Sequence, residues 1–240
     1  MYFKDTIAKP IDKYALIEND LSFLNEYLLL EDSGNIMQRF IEFIKKSINY
    51  VSSKLKEMAA NKVFTATSNL IDKYGDRNIN SSDVDGNIKE FVFPKTNIDD
   101  TLINNLAKFI SSVTVKSTGK YSSKMEYEGS FDEINKTMEE GLSVFTKEKL
   151  LNIRNPFNIE QIKNCHKNNE AVLTKIKDRF GYIQKQLNDL YNSIKKINDS
   201  KHISQAIKAV SGILKINGTI YGCLLSSEMS LYKGLKTAIK

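Results

Sequence analysis

The strongest constraint in this sequence is a heptad repeat of apolar residues in its C-terminal third. Apolar side chains recur at alternating steps of three and four residues, which places them on one side of a helix and is typical of helices that pack together. The first seam comprises Leu173, Ile176, Phe180, Ile183, Leu187, Leu190, Ile194 and Ile197. The second comprises Ile203, Ile207, Val210, Leu214, Asn217, Tyr221, Leu224, Glu228, Leu231, Leu235 and Ala238.

The segment between the two seams is a short polar turn, Asn198-Asp199-Ser200. So short a connection leaves no length to cross back, and the pattern therefore predicts a long antiparallel helical hairpin. Asn217 and Glu228 interrupt the second seam at a cost in stability, and such residues either fix the register or face solvent where the partner helix has ended. We predict that the helices contact one another, or neighbouring copies, through Leu173, Ile176, Phe180, Ile183, Leu187, Leu190, Ile207, Val210, Leu214, Tyr221 and Leu224.

Two more helices are predicted before residue 75. The first covers about residues 11–30, and the second covers about residues 35–74. The second has a single apolar stripe formed by Met37, Phe40, Ile44, Ile48, Val51, Leu55 and Met58. After this stripe, the β-branched residues within residues 59–67 are compatible with a bend in the helix.

The middle of the chain is irregular. Residues 88–94 predict a strand or an extended segment, residues 114–129 leave room for a second strand, and residues 99–113 and 131–145 read as helices. The predicted fold class is mainly α: an elongated helical bundle with a long C-terminal antiparallel helical hairpin, with room for a small two-stranded β element in the middle region. We divide the chain into an N-terminal helical region (1–75), a mixed middle region (76–156) and a basic hairpin (157–240).

Charge is distributed unevenly along the chain. Residues 149–240 carry 16 Lys and Arg against 6 Asp and Glu, whereas residues 1–148 carry 19 against 23. A basic C-terminal surface attracts nucleic acid, anionic lipid or an acidic protein, although a solvated lysine-rich face is the simpler interpretation. The candidate lipid or DNA contacts are Lys45, Lys46, Lys54, Lys56, Lys195 and Lys196.

The second predicted helix raises a membrane hypothesis, because its lysines adjoin aromatic and aliphatic residues as in an interfacial helix. The residues concerned are Phe40, Phe43, Ile44, Ile48, Tyr50 and Val51. Packing of the same stripe in a protein core is the preferred interpretation.

We find no pattern of residues that predicts an active site. The segment Ser82 to Asn87 resembles part of a calcium loop, but Val92 stands where the bidentate Glu belongs. Cys165 and His166 are adjacent on a helix and point about 100° apart, so they do not form a nucleophile and base pair. With no phosphate loop or hydrolase motif, we expect no enzyme, no cofactor, no metal and no small-molecule substrate.

No signal peptide or spanning segment is apparent, and two cysteines are too few for a disulfide framework. We therefore expect a reducing compartment, and neither export nor insertion in a membrane.

In layout the chain resembles uncharacterised virion structural proteins of large tailed bacteriophages. The likeness rests on a short first helix, a lysine-studded Ile/Phe helix at residues 40–51, an irregular middle and a C-terminal pair of heptad helices. It implies a non-enzymatic internal head or minor structural protein, assembled in the host cytoplasm and located in the virion. The expected partners are other structural subunits or further copies of the chain. The alternative is a membrane-active or genome-associated basic helical protein, which is ejected with the genome or packages DNA without reading its sequence.

Overall fold

The computed structural model describes residues 22–28, 35–74, 89–90, 151–152, 159–194 and 203–238. These residues form five helices and two short strands. The helices are α1 (Ser22–Leu28), α2 (Ile36–Ala60), α3 (Val63–Tyr74), α4 (Ile159–Ile194) and α5 (Ile203–Ala238), and the strands are β1 (Lys89–Glu90) and β2 (Leu151–Asn152). The mainly-α fold class predicted from the sequence is confirmed in this part of the chain.

The second predicted helix is divided into α2 and α3 at Asn61, inside the segment where a bend was expected. Asn61 has an extended backbone, with φ −74° and ψ 112°. Its side-chain Oδ1 accepts a hydrogen bond from the Val63 backbone N–H at 2.9 Å. A helix start leaves backbone N–H groups without helical partners, and Asn is well suited to accept from them. The local chemistry of Asn61 therefore ends one helix and begins the next.

Helix α5 is the central element of the described fold. It contacts α1, α2, α3, α4 and β1. Its seam positions from Ile203 to Leu235 are buried, and a second row one residue before the seam, Ala206, Ile213 and Ile220, is buried as well. A heptad seam alone covers one narrow stripe, whereas two adjacent rows cover a wide arc that several helices can contact. The sequence predicts a hairpin of two helices, and in the described residues α5 is also covered by the helices of residues 22–74.

One hydrophobic core joins both ends of the sequence. It includes Leu24 and Tyr27 from α1, the stripe of α2, and buried residues from Leu173 on α4 and up to Leu224 on α5. The rings of Tyr50 and Phe180 lie 6.5 Å apart between α2 and α4. Nearby, the Gln184 side chain donates a hydrogen bond to the Ser52 hydroxyl at 2.7 Å. The predicted regions 1–75 and 157–240 thus share a core wherever the structure describes them.

The start of α4 lies against the end of α5. His166 on α4 contacts Glu228 on α5, 62 positions later in the sequence. If the helices were parallel, Ile194 and Ile203 would lie far apart, beyond the span of the eight residues between them. A contact of this kind is what the antiparallel pair requires. The elongated layout, the complete hairpin and the three-region division stay predictions.

The two strands form a short antiparallel ladder, with Lys89 opposite Asn152 and Glu90 opposite Leu151. The first strand lies in the segment predicted to be extended. Its partner is at residues 151–152, although the sequence suggested residues 114–129. That segment, the helices predicted at 99–113 and 131–145, and most of the first predicted helix lie outside the described residues.

We expect Phe180→Ala to lower the free energy of unfolding by about 3–5 kcal/mol, because it removes a fully buried ring and leaves a cavity. The matched control is Tyr182→Ala on the same helix, where the side chain is 38% exposed. The control should change the free energy by about 0.5 kcal/mol or less. Urea unfolding followed by circular dichroism measures both values, and equal losses would contradict the described packing of α4.

Candidate functional site

The most unusual feature of the described structure is a group of buried polar side chains between α4 and α5. We call the polar cluster the set of His166 and Asn169 on α4 with Ser227 and Glu228 on α5. Glu228 and Ser227 are fully buried, while Asn169 is 4% exposed and His166 is 6% exposed. Asn169 follows His166 by three positions, so both side chains leave the same face of α4.

Hydrogen bonds occupy both oxygens of the buried carboxylate. His166 Nδ1 lies 2.7 Å from Glu228 Oε1. Asn169 Nδ2 donates to Glu228 Oε2 at 2.9 Å and lies 3.2 Å from Ser227 Oγ. The other ring nitrogen of His166, Nε2, is 3.5 Å from Oε1 of Glu170, one turn further along α4. Both ring nitrogens therefore face carboxylates, an arrangement that only the doubly protonated imidazolium satisfies with two N–H donors.

The surroundings of His166 favour its charged form. Burial alone lowers the pKa of His166, but the hydrogen bond to Glu228 and the charges of Glu228, Glu170 and Asp72 outweigh burial and raise this pKa above its ordinary value of 6.5. A carboxylate as buried as that of Glu228 is costly without a positive partner. The cluster is thus a buried ion pair completed by the Asn169 amide.

The polar cluster stands at one end of the main hydrophobic core. On α4 the buried residues of this core begin at Leu173, and on α5 they end at Leu224. Among the described residues, three buried apolar side chains beyond the cluster on α4 and α5, Ile162, Leu231 and Leu235, lie outside that core, and so does Ile71 on α3. The ring of Phe64 on α3 lies beside His166, with 6.4 Å between centroids. A polar layer about one helical turn deep therefore separates the core from a small apolar end.

Chemically, the cluster can bind and release one proton at His166, whose ring lies between the carboxylates of Glu228 and Glu170. Among the residues that the structure describes, no group of three or more His, Cys, Asp or Glu side chains is arranged to hold a metal ion. Cys165, which precedes His166, is half-buried and is not part of a disulfide.

All eleven residues that the sequence marks as interaction residues lie in the hydrophobic core of this chain. They are Leu173, Ile176, Phe180, Ile183, Leu187, Leu190, Ile207, Val210, Leu214, Tyr221 and Leu224. Burial raises the pKa of the Tyr221 hydroxyl to about 12; Glu57 adds to this rise and Asn61 opposes it. The seam positions therefore make their contacts inside the chain.

The candidate lipid or DNA contacts fall into three groups. Lys45, Lys46 and Lys56 are exposed on α2. The ammonium groups of Lys45 and Lys46 lie over the rings of Tyr191 and Tyr27, at 5.7 and 5.1 Å from the ring centroids. Lys195 and Lys196 lie outside the described residues.

Lys54 differs from the other lysines of α2, because its side chain is buried. Its ammonium group is 2.8 Å from Glu57 Oε2 and lies over the Tyr50 ring. A lysine can cover apolar surface with its stem while its head pairs with an acid. Lys54 therefore presents little charge to an outside partner.

The partners of Glu228 are not evident from the spacing within one helix. In the sequence Glu228 is a polar break in the seam, and His166 has no partner in the adjacent Cys165; the two residues meet only across α4 and α5. A usable signal existed: equal distances counted outward from Asp199 pair residue 228 with residue 170. This position is within about one turn of His166 and Asn169, both of which can donate hydrogen bonds to a carboxylate.

Comparison of the chain with models of protein families, with curated proteins and with solved structures finds no match in any of the three. Nor is any helix in the described part of the chain long and apolar enough to cross a membrane.

Replacing one member of the ion pair should be more damaging than replacing both. We expect His166→Leu to lower the free energy of unfolding by about 3–5 kcal/mol near neutral pH, because Glu228 then remains buried without a counter-charge. In the double variant His166→Leu, Glu228→Leu most of that loss should be recovered, since an apolar pair of similar volume is often neutral or stabilising.

Glu170→Gln is the matched control, because Glu170 faces the same ring but its side chain is 53% exposed. Its cost should be about 1 kcal/mol or less. Denaturant unfolding of these proteins, together with Glu228→Leu to complete the double-mutant cycle, gives the coupling between His166 and Glu228. A double variant no more stable than His166→Leu would show that the two residues do not form the proposed pair.

Proposed function

We propose that this chain is a non-enzymatic structural or interaction protein, a component of a tailed-phage particle. The observation that carries the proposal is the closed helical core, in which residues from both ends of the sequence bury the heptad seams. A side chain buried within its own chain cannot serve as a contact for a neighbour. Contacts with other subunits are therefore assigned to the outer faces of the helices and not to the seams.

The outer face of α2 is the best candidate for such contacts. Its exposed residues include Lys45, Asn49 and Lys56, which project to one side. Lys45 and Lys56 are eleven residues apart, which corresponds to about 16 Å along the helix. Because Lys45 lies over the Tyr191 ring of α4, its position is restrained in advance, and less conformational entropy is lost when a partner binds. We propose an acidic face of another structural subunit as the partner.

Quantitative mass spectrometry of tailed-phage particles, purified from the host that carries this gene, tests the proposal. The chain should remain with the particles through a density gradient at a fixed copy number. We expect Lys45→Glu to reduce incorporation by about tenfold, the factor that corresponds to about 1.4 kcal/mol of binding. A chain found only outside the particles would contradict the proposal.

The matched control for this experiment is Lys236→Glu. Lys236 is exposed on α5 and lies over the Tyr232 ring at 5.9 Å, so it shares the chemistry of Lys45 on a different surface. Both variants remove a cation–π interaction of about 0.5–1 kcal/mol, and both should unfold at similar temperatures. Equal loss of incorporation in the two variants would argue against the α2 face.

A second candidate function is genome association through the same lysines. It is favoured over lipid insertion because the apolar residues that an interfacial helix would place in lipid, such as Phe40, Phe43 and Ile44, are buried in the core. The net positive charge of α2, which has five basic residues and two acidic ones, suits contact with phosphates.

For this candidate we expect affinity for duplex DNA of any sequence to fall steeply with added salt. The double variant Lys45→Glu, Lys56→Glu should flatten the dependence of log K on log salt by about 0.9 for each phosphate that the protein no longer neutralises. Fluorescence anisotropy over a salt series measures the slope, and Lys236→Glu should leave it unchanged. Binding to anionic vesicles without binding to DNA would instead assign the lysines to lipid headgroups.

A further inference from the structure

The polar cluster occupies a position where a single proton can decide whether one end of the molecule is closed. It joins the start of α4 to the end of α5 and lies beside Phe64 of α3. The connection between α4 and α5 is at the opposite end of these helices, between Ile194 and Ile203. That connection therefore does not hold the cluster end together.

We propose that the polar cluster is a proton-controlled latch. It holds the start of α4, the end of α5 and the adjoining part of α3 together while His166 is protonated, and it releases them when that proton is lost. The latch is independent of the proposed role in a particle, because it depends only on contacts inside the chain.

The charges around His166 explain why its protonation can keep this end of the molecule closed. From α5 it faces Glu228, from its own helix Glu170, and from α3 it is influenced by Asp72, all of them acidic. Lys163 is half-buried one turn earlier on α4. Once His166 is neutral, its Nδ1–H can still donate to Glu228, but the fully buried carboxylate has lost its counter-charge. An uncompensated charge in such surroundings favours an arrangement in which water reaches it.

The packing explains why the opening is local. The main core contains neither Ile162, Leu231 and Leu235, which lie beyond the cluster on α4 and α5, nor Ile71 of α3. Separation at the cluster exposes these few side chains together with Phe64 of α3, which borders the core beside His166, and leaves the rest of the core in place. Small units of this kind open at a lower free energy than the whole domain.

The direction of the pH dependence follows from linkage. In the closed state the pKa of His166 is raised above 6.5, and in the open state it returns toward 6.5. Protonation therefore stabilises the closed state fully below pH 6.5, and this stabilisation is lost as the pH rises through the raised pKa. The ratio of open to closed molecules should increase up to about tenfold per pH unit between the two pKa values and become constant above the higher one.

Hydrogen exchange of the full chain, measured by mass spectrometry from about pH 6 to 9 and corrected for intrinsic exchange, tests the latch. Protection should fall with pH in peptides covering residues 160–171 and 225–236, and should stay constant in peptides covering residues 176–192 and 206–222. An equal fall in all of these peptides would overturn the proposal, because it would mean global destabilisation. Constant protection at the cluster end would overturn it as well.

Two further measurements connect the opening to His166. The sequence contains only two histidines, His166 and His202, so their ring signals can be assigned by NMR with a His202→Gln variant. His166 should titrate with a midpoint above 6.5, and exchange at the cluster end should become constant near that midpoint. A midpoint at or below 6.5 would contradict the latch.

Glu228→Gln supplies the decisive variant, because it keeps the shape of the side chain and removes the buried charge. In this variant most of the pH dependence of protection at the cluster end should disappear, since only the charges of Glu170 and Asp72 then oppose the effect of burial on the pKa of His166. Glu170→Gln, the matched control, should keep the dependence and lower its midpoint, since it removes only a half-exposed acidic neighbour. Persistence of the full pH dependence in Glu228→Gln would overturn the proposal, and if that variant does not fold, the exchange and NMR results on the unmodified chain decide the question.

Discussion

Burial of α5 is the interaction on which the rest of this structure depends. Two adjacent rows of side chains on α5 are removed from water by α1, α2, α3 and α4, which come from both ends of the sequence. The burial of each Leu or Ile contributes roughly 1.5–3 kcal/mol, so an arc of this width outweighs the cost of bringing distant segments together. The outer helices are thereby fixed, and with them the face on which Lys45 and Lys56 lie.

The burial of α5 also determines how the polar cluster forms. A carboxylate at a seam position of a central helix cannot turn toward solvent, so the neighbouring helix has to supply its partners. His166 and Asn169 do this from one face of α4, and they bind both oxygens of Glu228. A buried polar network of this kind contributes less to stability than an apolar layer, but it rewards one register between the helices over others. In this chain it also introduces a titratable group between the core and one end of the molecule.

Much of the fold could be predicted from periodicity, and the reasons are visible in particular residues. The alternation from Leu173 onward fixed which side of α4 is buried, and the β-branched residues after Met58 are compatible with a bend within residues 59–67, where α2 ends and α3 begins. The pairing of residues 89–90 with residues 151–152 could not be predicted, because two-residue strands carry no periodic signal. The candidate site was only half visible: Glu228 stood out in its seam, whereas His166 acquires its meaning from a residue 62 positions away.

By itself, the sequence determined the helical class, the faces of α2, α4 and α5 that are apolar, and the presence of a carboxylate among them. These properties are local, because they follow from the spacing of residues within one helix. The tertiary structure decided that α5 is enclosed by other helices, that Lys54 is buried while Lys45 is not, and that His166 lies between two carboxylates. Each of these depends on which helix lies opposite, and the spacing within a single helix contains no information about its neighbours.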